Sequence, residues 1–156
     1  TWKIPRGNSG TAESPIVYAC VKYDAVWDFA KSQPSSIENA HIEGNTGKIA
    51  STVKGIELDV DASAADAKLK VNAGTHAQFN AGTVIKVPVK NVGDVVTVIS
   101  YPNYDSFTIG SGDDMITSVQ GTNTYTYQAN LDDVEAGYVE VISTGSSYLL
   151  SISVTR

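Results

Sequence analysis

Along most of the chain apolar and polar residues alternate with a period of two, the repeat of an extended strand whose successive side chains point to opposite faces. In Gly55-Ile56-Glu57-Leu58-Asp59-Val60-Asp61, the apolar Ile56, Leu58 and Val60 interleave with Glu57, Asp59 and Asp61, so one face meets a core and the other meets water. Thr83-Val84-Ile85-Lys86-Val87-Pro88-Val89 sets Ile85, Val87 and Val89 on one side and Lys86 and Pro88 on the other. Proline has no amide proton to give to a ladder, which predicts an edge strand or a bulge there. Asp94 to Tyr101, rich in Val95, Val96, Val98 and Ile99, reads as a strand buried on both faces. Tyr138-Val139-Glu140-Val141-Ile142 and Tyr148-Leu149-Leu150-Ser151-Ile152-Ser153-Val154 continue the pattern. Gly, Asn, Asp and Pro separate the runs at spacings of roughly 8–12 residues, which predicts an all-β fold, a two-sheet antiparallel β-sandwich of the jelly-roll type.

Helical signal is sparse. Ala62 to Leu69 is short and alanine-rich, enough for one turn of helix or a loop. Leu131-Asp132-Asp133-Val134-Glu135-Ala136-Gly137 has the pattern of a helical turn with glycine at its C-terminal stop. Residues 1–25 open with Gly7, Asn8, Ser9, Gly10 and two prolines, Pro5 and Pro15, and read as an N-terminal linker or a first strand packing on the domain. Residues 26–156 form the sandwich domain. Thr1-Trp2-Lys3-Ile4-Pro5-Arg6 lacks an initiator Met and an apolar leader, so the chain reads as a mature form or a piece of a larger protein.

Length and composition agree with one globular domain: 156 residues, 42% hydrophobic and 18% charged. Apolar runs fall short of the roughly 20 residues that span a bilayer. The net charge of −6 and the scattering of Lys and Arg argue against nucleic acid and against an anionic membrane as partners, since both are recognised by clustered cations. The single cysteine, Cys20, sits in an apolar run and reads as a small buried hydrophobe.

The inventory for catalysis is thin. His41 and His76 have no Cys or second His at metal-ligand spacing. Gly145-Ser146-Ser147 lacks the glycine that completes a nucleophile elbow. The acidic pairs Asp113 with Asp114 and Asp132 with Asp133 are adjacent in sequence, whereas glycosidase acids face one another across a cleft of about 5–10 Å. Asp59 and Asp61 project hard oxygens from one strand face, which makes them the candidate ligands for a structural calcium, with an exposed polar face as the plainer reading.

The aromatic residues carry more. Eight tyrosines against three phenylalanines favour rings with a wet end. A sugar lays the C–H face of its ring on such a side chain while polar groups bond its hydroxyls. In Ser100-Tyr101-Pro102-Asn103-Tyr104-Asp105-Ser106-Phe107, Pro102 and Asn103 predict a turn that presents Tyr101 and Tyr104 together. Tyr125 and Tyr127 alternate on one strand face, as cross-strand packing or ligand binding would both require. An acidic sugar needs a cation, for which Lys86 and Lys90 are candidates, and Tyr148 joins the aromatic set.

Five stretches carry a resemblance: Val26-Trp27-Asp28-Phe29, Gly82 to Val89, Ser100 to Tyr104, Phe107 to Gly110 and Gly137 to Ile152. Over about residues 26–155 the chain resembles the β-sandwich accessory modules attached to pectate lyases, pectin esterases and related plant cell-wall enzymes of Bacteroidota. That resemblance implies a secreted, periplasmic or cell-surface module, part of a multidomain enzyme, that binds pectic or xylan-type polysaccharide without catalysis. Two alternatives stand beside it: a structural or protein-docking sandwich, and a small jelly-roll lyase or hydrolase.

Overall fold

The computed structural model describes residues 24–31, 37, 39–72 and 74–156, so most of the predicted N-terminal segment, Cys20 included, lies outside the described residues. The alternating runs become strands β1 (Ala25–Asp28), β2 (His41–Glu43), β3 (Thr46–Ala50), β4 (Glu57–Asp61), β5 (Lys68–Asn72), β6 (His76–Phe79) and β7 (Val84–Pro88). They continue as β8 (Val95–Ser100), β9 (Phe107–Ile109), β10 (Ile116–Thr117), β11 (Thr124–Gln128), β12 (Tyr138–Ser143) and β13 (Ser147–Thr155), with a short α-helix, α1 (Leu131–Ala136), and a 3-10 turn at Gly112–Asp114 among the described elements. Among the described residues they form two antiparallel sheets, one of six strands ordered β10-β9-β12-β7-β4-β3, the other of seven. The latter runs β11-β8-β13-β6-β5-β2, with β1 beside β13. The chain crosses repeatedly between the sheets and closes an antiparallel β-sandwich.

Inward residues of both sheets build one core. Leu58, Val60, Ile85, Val87, Val139 and Val141 meet Leu69, Phe79, Val96, Val98, Leu149 and Ile152, all buried. Trp27 on β1 joins the layers: its ring is fully buried and Nε1 donates to the carbonyl of Ile49 on β3 at 2.8 Å. The indole thereby fills the core while its only polar atom is satisfied from the opposite sheet.

Two expectations change. Pro88 lies on an interior strand, between β12 and β4. Val89 donates its amide to Gly137, so the even-numbered residues of β7 turn their nitrogens toward β4, and the paired register with β4 has already ended at Lys86. The missing amide proton of proline therefore costs no ladder bond. β8 is not buried on both faces: Val96, Val98 and Ser100 point inward, while Val95, Thr97 and Ile99 are half-covered by their neighbours on β11 and β13. The predicted helical turn at Leu131 forms, with Asn130 and Asp133 making a reciprocal capping box and Gly137 closing it at φ 91°. Ala62 to Ala67 is a loop, one of the two forms expected, with Asp66 at φ 70°, and Lys68 and Leu69 open β5. No helix among the described residues is long and apolar enough to cross a membrane.

Candidate functional site

At one end of the seven-stranded sheet the chain leaves β8 through Tyr101-Pro102-Asn103-Tyr104. Tyr104 donates its amide to the Tyr101 carbonyl at 2.9 Å, and Asn103 takes φ 63°. Proline at the second position and asparagine in the left-handed region at the third are the residues that a type II turn selects. The turn is laced to the start of β13, since Tyr101 donates to the Tyr148 carbonyl at 2.6 Å and Tyr148 to the Tyr104 carbonyl at 3.1 Å.

That lacing brings four rings together. Tyr104 stacks on Tyr148 with centroids 4.6 Å apart and planes inclined by 18°. His76, the first residue of β6, stacks on Tyr148 at 4.2 Å and 22°. Tyr101 stands obliquely to this column, 6.1 Å and 58° from Tyr104 and 6.0 Å and 61° from His76. Together with Gly74 and Thr75 the four rings line a hollow of about 480 Å³, and none of its described lining residues is a carboxylate. Tyr101 and Tyr104 keep 44% and 45% of their surface in solvent, a large exposed area for aromatic side chains held this firmly.

The firmness comes from Asp105, immediately after the turn and only 2% exposed. Its carboxylate accepts from the Gly121 and Asn123 amides at 3.1 Å each and from the Tyr125 hydroxyl in a very short bond. Asn123 in turn donates its side-chain amide to the Tyr101 carbonyl at 3.1 Å. Burial works to raise the Asp105 pKa, but the hydrogen bonds from Tyr125, Asn123 and Gly121 together outweigh it and leave the carboxyl below its ordinary range. The same pair pushes the Tyr125 phenol up, burial first and the neighbouring carboxylate second. His76 is shifted down by burial. Nδ2 of Asn72 lies 3.3 Å from its Nε2, and because an amide nitrogen only donates, that contact calls for a lone pair on the ring. Both favour a neutral imidazole, the form that stacks without desolvating a charge.

Of the residues singled out in the sequence, Tyr101, Tyr104 and Tyr148 converge here, and His76 is an addition. The others lie elsewhere. Tyr125 is corrected to a core residue: its ring points inward, packs edge-on to Phe107 at 5.1 Å and is 6% exposed. Tyr127 is likewise buried, its hydroxyl donating to Asp133 at 2.7 Å, and burial followed by that carboxylate pushes its pKa up. It floors a second hollow of about 440 Å³ between Val92, Asp114 and Asn130, where no second ring offers a stacking face. Lys86 is on β7, in the opposite sheet, with Nζ 4.9 Å from the centre of the Tyr138 ring. Lys90 precedes β8, at the far end of that strand from Tyr101. Neither reaches the rings. Asp59 lies between Lys48 and Lys86 on the neighbouring strands, 3.6 Å from the Lys48 ammonium, and Asp61 accepts from the Ser63 amide and hydroxyl. Among the described residues no group of three or more His, Cys, Asp or Glu side chains is placed to hold a metal ion.

No protein-family model matches the chain, and neither a curated protein nor a solved structure matches it significantly.

Proposed function

We propose that this protein is a non-catalytic glycan-binding module, directed at pectic or xylan-type polysaccharide of plant cell walls and serving to hold an attached enzyme at its substrate. The observation that carries the reading is the half-exposed hollow between Tyr101 and the Tyr104–Tyr148–His76 column. Stacking consumes both faces of Tyr148, so the surfaces offered to a ligand are the solvent-exposed parts of Tyr101 and Tyr104 that border the hollow. Two rings meeting at 58° form a wedge that accepts one pyranose, with C–H groups on the rings and hydroxyls turned toward the backbone of Gly74 and Thr75. The turn and Asp105 hold both rings before any ligand arrives, which lowers the ordering cost of binding. Among the described residues the lining of the hollow holds no carboxylate, whereas glycosidic hydrolysis needs two, which supports the binding reading. Tethered beside an enzyme, even a weak module of this kind raises the local concentration of substrate.

Calorimetry with xylo-oligosaccharides and pectic oligosaccharides tests the reading. The expected result is saturable binding that Tyr104→Ala weakens by about 1–2 kcal/mol, roughly five- to thirty-fold, with the melting transition preserved. Absence of binding to every glycan at millimolar concentration overturns it.

A further inference from the structure

The ring cluster does not stand alone on its sheet. The registers place Tyr148 opposite Gln78, Gln78 opposite Lys70, and Lys70 opposite His41, so one line crosses β13, β6, β5 and β2. Both residues flanking Tyr148, Gln78 and Lys70 are buried, as is Ile42 after His41, which turns all four side chains to the outer face. The line starts at the aromatic stack and leads to a cation. Lys70 is exposed, lies two strands from Tyr148, roughly 10 Å away, and has no ion pair among the described residues. Of the acidic groups on this face, Glu43 is opposite Lys68 and bonded to His41 at 3.0 Å, and Asp28 on β1 accepts from the Ala30 amide and lies 4.0 Å from the Lys31 ammonium. Lys70 is on the second strand in from the sheet edge, so guarding an edge against aggregation does not account for it.

Building on the glycan reading of the ring cluster, we infer that the binding site continues across the outer face along Gln78 and Lys70 and selects a uronate-bearing chain. One sugar occupies the wedge of Tyr101 and Tyr104, and the carboxylate of a following residue meets the Lys70 ammonium, with the Gln78 amide between them bonding hydroxyls. The role that the sequence suggested for Lys86 and Lys90 thus falls to a lysine on the correct sheet. A compact ammonium on a flexible stem suits a carboxylate whose position shifts along a polymer. An exposed pair of this kind contributes little to overall affinity but separates charged from neutral ligands.

The test compares three probes on the intact chain: an oligogalacturonate, the same oligomer with its carboxyls methyl-esterified, and a neutral xylo-oligosaccharide. Esterification removes the charge and keeps the rings. Wild type is expected to bind the free acid up to about fivefold more tightly than the ester at low ionic strength. Lys70→Gln should abolish that preference and leave ester binding unchanged, Lys70→Arg should restore it, and Tyr104→Ala should weaken acid and ester alike. Equal affinity of wild type for acid and ester, or a preference that survives Lys70→Gln, overturns the inference. Binding of the xylo-oligosaccharide alone also overturns it while the ring platform stands, whereas no binding of any of the three removes both.

Discussion

A turn residue and a half-buried histidine set the character of the ring cluster. Asn103 at φ 63° allows Tyr104 to fold back over Tyr148, a conformation that asparagine tolerates and a β-branched residue resists. His76 is held neutral by burial, and its folded pKa lies below the ordinary imidazole value. The unfolded chain therefore binds a proton more readily than the folded one as pH falls below about 6.5, and stability contributed by this group is complete above that pH and lost on acidification. Titration of the His76 ring by NMR should give a midpoint below the ordinary imidazole value. Gly110 is the other position where a single atom decides. At φ +84° it packs on Tyr127 so closely that an added Cβ would lie 2.2 Å from Cε2 of that ring. Gly110→Ala should cost about 2–4 kcal/mol in chemical denaturation, through both backbone strain and displacement of the ring.

Between elements, Asp105 is the residue on which the geometry turns. It ties the loop after β8 to the segment before β11 through two amides and a phenol, and Asn123 carries the tie to Tyr101. Asp105→Asn replaces one accepting oxygen by a donor facing another donor, and should destabilise the fold by about 2–3 kcal/mol while loosening Tyr101. Since the folded carboxyl titrates below its ordinary range, its contribution is fully present above about pH 4 and is lost as pH falls through the folded value. Acid unfolding of the wild type should therefore be steeper below pH 4 than that of the Asn variant. How far the sequence reveals this region depends on the range of each interaction. The Pro102–Asn103 turn was legible because its determinants are adjacent residues. Tyr148 and His76 reach it only through the registers of β13 and β6, which no local pattern specifies. Alternation showed that Tyr125 and Tyr127 share a face, but not which face; buried Asp105 and Asp133, each satisfying a phenol, make inward the answer. Lys86 and Lys90 illustrate the same limit, as nearness in sequence to Tyr101 put them on another sheet and at another end.

At the scale of the molecule, strand periodicity carried the fold. Period two identified the core faces of β4 and β7, whose inward residues join the core of the sandwich. Trp27 anchors the layers from both sides, so Trp27→Phe, which keeps a ring but deletes the bond to Ile49, should lower stability by about 1–3 kcal/mol in thermal or urea unfolding. The rigid two-layer body explains why the exposed tyrosines stay ordered: their loop is braced from β13 on one side and from the Asp105 network on the other. Function is less legible than fold because a sandwich specifies no ligand. The most direct measurement is a chemical-shift map recorded while a wall oligosaccharide is titrated into the labelled protein. The shifts should concentrate at His76, Tyr101, Tyr104 and Tyr148 and leave Tyr127 and Tyr138 unmoved. Shifts that gather on the Tyr138 face or around Tyr127, with the four rings silent, would contradict a binding platform at this end of the sheet.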